Sequence, residues 1–158
     1  MDINSKNNYI YNSTPQEELS LNLIELQSIK KSQDLIFASS VFTHMYHSHT
    51  LETFNYLNTL STRETLFVFT WLILDDRNRL AVDNGKADRK LPYEINNIFT
   101  YSELNPLVCT AYRLNDLLKI YHLSGHEIIN IEFGSWSGIG RNNQLTYQDV
   151  VISRRVGS

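Results

Sequence analysis

Residues 34–45 read DLIFASSVFTHM, and Ser39, Ser40, Thr43 and His44 crowd together directly behind a short apolar run. An apolar run of strand length that stops at two serines is how a buried strand delivers polar groups to a ligand crevice. There the serine groups can bind a ligand and a histidine can move a proton. The same serines can equally satisfy backbone groups at a strand end, and Phe42 can pack into the core. His44, His47 and His49 raise the question of a metal. Their three-then-two spacing runs across a loop, with no carboxylate nearer than Glu52, and reads as solvated histidines entering a helix. No metal site is expected. Cys109, in PLVCTAY, has no cationic neighbour to activate a thiol and reads as a small buried hydrophobe. Trp136, after Gly134-Ser135, reads as a turn aromatic with a substrate role as its alternative. The charged run from Asp75 to Arg79 and the pair Arg154-Arg155 read as solvated surface.

Composition limits what these groups can serve. The chain has 158 residues, 42% hydrophobic and 20% charged, as expected of one compact domain. The longest apolar run, 66–74, is far below the roughly 20 residues of a membrane span, and the start MDINSKNNYI has no signal-peptide core. A soluble, cytoplasmic protein is expected, with no membrane partner. One cysteine excludes an intramolecular disulfide and a cysteine-rich zinc site. The net charge is −3, and Lys and Arg are scattered apart from Lys30-Lys31 and Arg154-Arg155, so nucleic acid is not an expected partner.

The elements that must position the residues follow from periodicity. Residues 1–33 form a polar lead, mostly loop, with one irregular apolar cluster from Leu19 to Leu26. Residues 35–38 and 66–74 read as strands buried on two faces, as in a parallel sheet covered by helices. Between them Leu51, Phe54, Leu57 and Leu60 recur at three-residue spacing and predict a short amphipathic helix, completing one right-handed crossover. Residues 75–101, with Gly85 and Pro92, read as a long excursion or lid with a single helical turn, the most mobile part of the chain. Leu114, Leu117, Leu118 and Tyr121 predict a helix closed by Gly125. EIINIEF and TYQDVVIS, around GSWSGIGRNN, predict an antiparallel hairpin with Ile129, Ile131 and Phe133 on one face. The expected fold is α/β, with a reversed strand near one sheet edge.

DLIFASSVFTHM resembles the fourth-strand motif of class I S-adenosylmethionine-dependent methyltransferases, in the subgroup with a Ser-Val-Phe-Thr-His run. Three further blocks are similar in the same order: LFVFTWLIL to the fifth strand, AYRLNDLLKIYHLSGHEIINIEFGSW to the helix and strand before a Gly-Ser-Trp turn, and YQDVVISRR to the last strand. DINSKNNYIYNS resembles the stretch after the third strand. The resemblance implies a partial Rossmann-like methyltransferase sheet, from the fourth strand onward, in residues 34–158.

It further implies S-adenosylmethionine as cofactor, with Ser39, Ser40, Val41 and Phe42 lining its methionine side. His44 would be a base or substrate-orienting group, and Trp136 and Tyr112 part of a substrate rim. The acceptor would be an unidentified small molecule or saccharide. The family's glycine-rich turn and ribose-binding acid, which let the backbone approach the ligand and hold its hydroxyls, are missing: the first glycine is Gly85. The turn before the fifth strand, usually glycine-bearing, reads LSTRETL. The isolated chain is therefore expected to bind S-adenosylmethionine weakly or not at all. Completion would come from an amino-terminal half supplied by a partner or upstream segment, or from a homodimer through the edge of the 34–40 strand. A truncated, non-catalytic remnant acting as an interaction module is the alternative, and an unrelated small α/β binding domain is a third.

Overall fold

A computed structural model describes residues 33–141 and 144–156, all within one unit, Lys31–Ser158. The polar lead, apart from Gln33, and the DINSKNNYIYNS block lie outside the described residues. Strand β1 (Gln33–Ala38) runs through a 3₁₀ turn (Phe42–His44) into helix α1 (His47–Thr59), and the chain returns as β2 (Ser61–Trp71). β1 and β2 pair in parallel, Ile36 opposite Phe67 and Ala38 opposite Phe69, as a strand–helix–strand crossover requires.

The carboxyl-terminal hairpin completes this sheet. β7 (His126–Glu132) and β8 (Asp149–Arg155) are antiparallel, and β8 also pairs antiparallel with β2, giving the order β1-β2-β8-β7. β8 is thus the reversed strand, one place in from the edge. A bulge between Ile128 and Asn130 breaks the alternation of β7. It leaves Ile129 half exposed, while Ile128, Ile131 and Phe133 pack on the core, which corrects the expected face.

Helix α3 (Leu114–Leu123) ends as its sequence predicts, with Gly125 at φ +72° donating to the His122 carbonyl. Its buried stripe is Leu117, Ile120 and Tyr121, at i, i+3 and i+4. Leu118, one position off that stripe, is 42% exposed, contrary to expectation. α1 and α3 both lie on the side of the sheet that carries Phe67, Phe69 and Trp71. Phe54 of α1 meets Phe69 edge-on at 5.4 Å and Tyr121 at 5.0 Å, and the Trp71 indole N–H donates to the Tyr121 hydroxyl at 3.1 Å. Each such ring pair contributes about 0.5–1.5 kcal/mol beyond its buried area.

The expectation of strands buried on both faces holds only where the sheet passes into its second layer. Residues 69–74 are buried throughout, but Leu35 and Phe37 on β1 and Leu66 on β2 are exposed. The segment 75–101 differs more. It forms helix α2 (Asp76–Asp83), capped by the Asp75 carboxylate accepting from the Asn78 amide at 2.7 Å, and a hairpin of β4 (Tyr93–Ile95) and β5 (Ile98–Thr100). With β3 (Ile73–Leu74) and β6 (Thr110–Arg113) the hairpin builds a second sheet, β3-β6-β5-β4. The two-residue turn Asn96-Asn97 has both φ values positive, 51° and 65°, the geometry that matches strand twist and that asparagine tolerates. Among the described residues no helix is long and apolar enough to cross a membrane.

Candidate functional site

Because β1 and β2 are parallel, both deliver their carboxyl ends to one side of the sheet, where ligands of open α/β folds bind. The turn 39–41 sits there. Ser40 is held at φ +59°, a left-handed conformation costing a non-glycine residue about 1–2 kcal/mol. Its environment fixes it: the Ser40 amide donates to Thr70 Oγ1 at 2.8 Å, the Thr70 hydroxyl donates to Gln148 Oε1, and the Ser40 hydroxyl donates to the same oxygen at 3.2 Å. The turn is thereby tied to the ends of β1 and β2 and to the residue before β8. Ser39, Ser40 and Val41 are exposed and form an accessible wall.

His44 is exposed beside this wall, and its ring is oriented. Nδ1 lies 2.8 Å from the Leu107 carbonyl. A carbonyl can only accept, so the proton sits on Nδ1 and the lone pair of Nε2 is the one free to take a proton.

The three aromatic candidates point elsewhere, and these expectations are corrected. Phe42 is fully buried, its ring stacked on Trp71 at 4.6 Å, so it is core and offers no surface to a ligand. Tyr112 is fully buried. Its hydroxyl donates to the Met45 carbonyl at 2.8 Å and accepts from Thr50 at 2.9 Å, and burial pushes its phenol up to about 12. It braces the 3₁₀ turn from beneath instead of forming a rim. Trp136 is fully buried, with its indole N–H on Asp149 Oδ2 at 2.8 Å. Cys109 is buried, and burial pushes its thiol up.

Asp149 is the residue that sequence reading missed. It is fully buried at the start of β8 and accepts N–H bonds from Ile73 at 2.6 Å, from Gly134 at 2.8 Å and from Trp136. Burial pushes its carboxyl up to about 7 in spite of those donors. The carboxylate joins the point where β2 breaks into β3 to the 134–148 connection, and so fixes the position of Gln148. Gly134 is required beside it, since a Cβ there would collide with the Tyr147 and Gln148 backbone. The legible signal was Asp149 itself, an acid opening an otherwise apolar strand in YQDVVIS.

A separate depression of about 450 Å³ lies at the carboxyl ends of β3 and β6, lined in part by Arg79, Phe99 and Arg113. Both guanidiniums lie over the Phe99 ring and each is paired, Arg79 with Asp83 and Arg113 with Glu94. It is not built from the residues of the 39–44 turn.

No protein-family model matches the chain. Among solved structures it is similar to the PH0226 protein from Pyrococcus horikoshii OT3, at a TM-score of 0.51 and 11% identity over 81% of this chain and 54% of that one. It is also similar to a S-adenosylmethionine-dependent methyltransferase from Clostridium acetobutylicum ATCC 824 (TM-score 0.49, 12% identity, 90% of this chain and 73% of that one). A third is magnesium protoporphyrin IX methyltransferase from Synechocystis PCC 6803 with bound SAH (TM-score 0.48, 12% identity, 83% of this chain and 48% of that one). The chain spans about half the length of the Pyrococcus and Synechocystis chains. At 11% identity the likeness to the Pyrococcus protein is one of fold alone, mixed α/β.

Proposed function

We propose that the chain is the carboxyl-terminal half of a S-adenosylmethionine-dependent methyltransferase domain, working on a small-molecule or saccharide acceptor once an adjoining amino-terminal half is present. The observation that carries this reading is the strand order. β1 and β2 run in parallel and the reversed β8 is inserted between β2 and β7, so the chain order fourth, fifth, sixth, last implied by the motifs becomes a continuous half sheet. Its carboxyl end presents the 39–41 turn.

The described residues fit the cofactor on one side only. The exposed turn offers the groups of Ser39, Ser40 and Val41 for the methionine end, with Thr70 and Gln148 holding that turn in shape. The chain has no glycine before Gly85, so a glycine-lined turn preceding β1 must come from elsewhere. The cofactor, when bound, supplies an electrophilic sulfonium methyl open to in-line displacement. His44, through Nε2, accepts the proton of the acceptor's nucleophile or orients it, and the turn's part is positioning.

The test is calorimetric titration of S-adenosylmethionine and S-adenosylhomocysteine into the chain alone and into the chain co-purified with the polypeptide encoded directly upstream, with molar mass measured in parallel. The expected outcome is no heat from the monomeric chain and binding by the pair. His44→Ala should lower turnover of the pair at unchanged affinity. Micromolar binding by the lone chain would overturn the need for a second half. Binding by neither sample would sink the cofactor reading and favour a non-catalytic remnant that serves as an interaction module.

A further inference from the structure

Strands β3 and β6 end side by side. They pair in parallel with Leu74 opposite Arg113, and α2 starts at Asp76 and α3 at Leu114, so the second sheet forms its own crevice at its strand ends. The depression of about 450 Å³ described above occupies that crevice, with Leu74 and Leu114 as its apolar wall. Its charged groups fall into two kinds. Some are spent: Asp75 accepts from the Asn78 amide at 2.7 Å and from Arg141 at 2.8 Å, and Glu94 accepts from Arg113 Nη2 at 2.7 Å. Two groups stay open. Arg79 gives only its Nε to Asp83, at 3.0 Å, so among the described residues its two terminal nitrogens have no hydrogen-bond partner, and the Asp76 carboxylate has none either.

The guanidinium carbons of Arg79 and Arg113 lie 4.8 and 4.9 Å from the centre of the Phe99 ring, which is itself buried. The ring therefore holds both planar forks in place, and their remaining N–H groups suit a carboxylate. The signs of the lining charges decide the rest. Three acids face two guanidiniums, so a phosphate dianion would meet more negative than positive charge. Among the described residues no group of acids and histidines could hold a metal ion. An open guanidinium edge beside an open carboxylate is complemented by a molecule that carries one charge of each sign. Asp76 and Arg79 stand three residues apart on α2, hence on one face, and a short ligand can reach both. We infer that the depression at the ends of β3 and β6 binds a small zwitterion, an aliphatic amino acid whose carboxylate is held by Arg79 and Arg113 and whose ammonium group is held by Asp76. Its aliphatic body lies on Leu74 and Leu114. The inference does not depend on the cofactor reading, because neither the 39–41 turn nor His44 lines the depression.

The test titrates the isotopically labelled full chain with glycine, γ-aminobutyrate and ε-aminocaproate, and in parallel with acetate, methylammonium and inorganic phosphate, all at one ionic strength. At least one amino acid should bind with a Kd below about 1 mM and shift the amide resonances of residues 74–79 and 113–115 but not those of 39–44, while acetate and methylammonium bind at least about tenfold more weakly. Asp76→Asn and Arg79→Gln should each weaken that binding about tenfold with an unchanged melting temperature, since both side chains reach solvent. Lys119→Gln, which removes a charge of α3 outside the depression, should leave the binding unchanged. The inference is overturned by the absence of amino-acid binding up to about 10 mM, by acetate or phosphate binding as tightly as the amino acids, by shifts confined to the 39–44 turn, or by an affinity that survives both variants. S-adenosylmethionine binding is read in a separate titration, so either reading can fail while the other stands.

Discussion

The antiparallel pair of β7 and β8 has a buried titratable group at each end, His126 on β7 and Asp149 on β8, and the two ends solve the burial problem in opposite ways. At the carboxyl end of the parallel strands, beside the candidate site, Asp149 is surrounded by N–H donors. At the other end His126 accepts at Nδ1 from Ser153 at 3.2 Å and donates from Nε2 to Asn58 Oδ1 at 2.8 Å, the Asn58 amide nitrogen being spent on the Ser124 carbonyl. A neutral imidazole satisfies that pattern, and it is the dry setting that disfavours a charged one. Burial, helped by Arg155, holds His126 down at about 4. One end is thus built around a carboxyl that accepts three N–H bonds and the other around a neutral ring, and the difference teaches where the fold tolerates change. The Asp149 end ties together three backbone segments and the site turn, whereas the His126 end closes only a hairpin and a helix terminus.

The sharpest way to break this comparison is Asp149→Ala. It strands three N–H donors in a dry interior, and a loss of about 3–5 kcal/mol is expected in urea unfolding. A loss below about 1 kcal/mol would mean that the carboxylate is not what joins the layers.

The pH dependence comes next and separates the two ends by sign. The folded pKa of Asp149 lies above its unfolded value of 3.8, so its contribution is fully present below about pH 4 and is lost as pH rises toward 7, up to about 4 kcal/mol. The folded pKa of His126 lies below its unfolded value of 6.5, so its contribution is fully present above that pH and is lost as pH falls toward 4, up to about 3 kcal/mol. In the native chain the two slopes oppose one another. In His126→Gln stability should rise as pH falls from 7 to 4, and in Asp149→Asn it should fall over the same range. Parallel slopes in the two variants would refute the assignment.

The smallest effect contrasts two glycines. Gly134→Ala meets backbone at the Asp149 end and should cost about 3 kcal/mol. Gly125→Ala, at φ +72° with only the Val156 carbonyl near, should cost about 1 kcal/mol. Thermal melts of the two variants rank the ends directly.

Much of the frame was legible because it rests on local pattern. The apolar run at 35–38, the helical spacing of Leu114, Leu117 and Tyr121, and the glycine at 125 are signals within a few residues and correspond to β1, α3 and its end, whereas the run at 66–74, expected as one strand, divides between β2 and β3 in two sheets. The hairpin at 93–100 rests on an equally local signal. Its Asn-Asn turn between alternating residues, YEINNIFT, is a turn signal hidden inside a charged segment. Of the candidate site residues, Ser39, Ser40, Val41 and His44 are exposed, as a strand end predicts of its polar groups. Phe42, Tyr112 and Trp136 are not, because aromatic residue type carries no information about direction. Their burial depends on partners more than ten residues away in the chain, Trp71, Thr50 and Asp149. The role of Asp149 was hidden for the same reason, since two of its three donors are backbone amides from other segments.

The insertion of β8 between β2 and β7 also sets an order of events during synthesis. β2 leaves the ribosome with β1 already available on one side, but its other neighbour begins about eighty residues later, a delay of roughly 4–16 s at ordinary elongation rates. Throughout that interval the Val68 to Trp71 stretch presents an open, apolar strand edge, and β7, although made earlier than β8, has no place to dock until β8 arrives. The nascent chain therefore passes through a window in which β2 is paired on one side alone, and β8, the last of the described strands in chain order, is the one that closes the sheet.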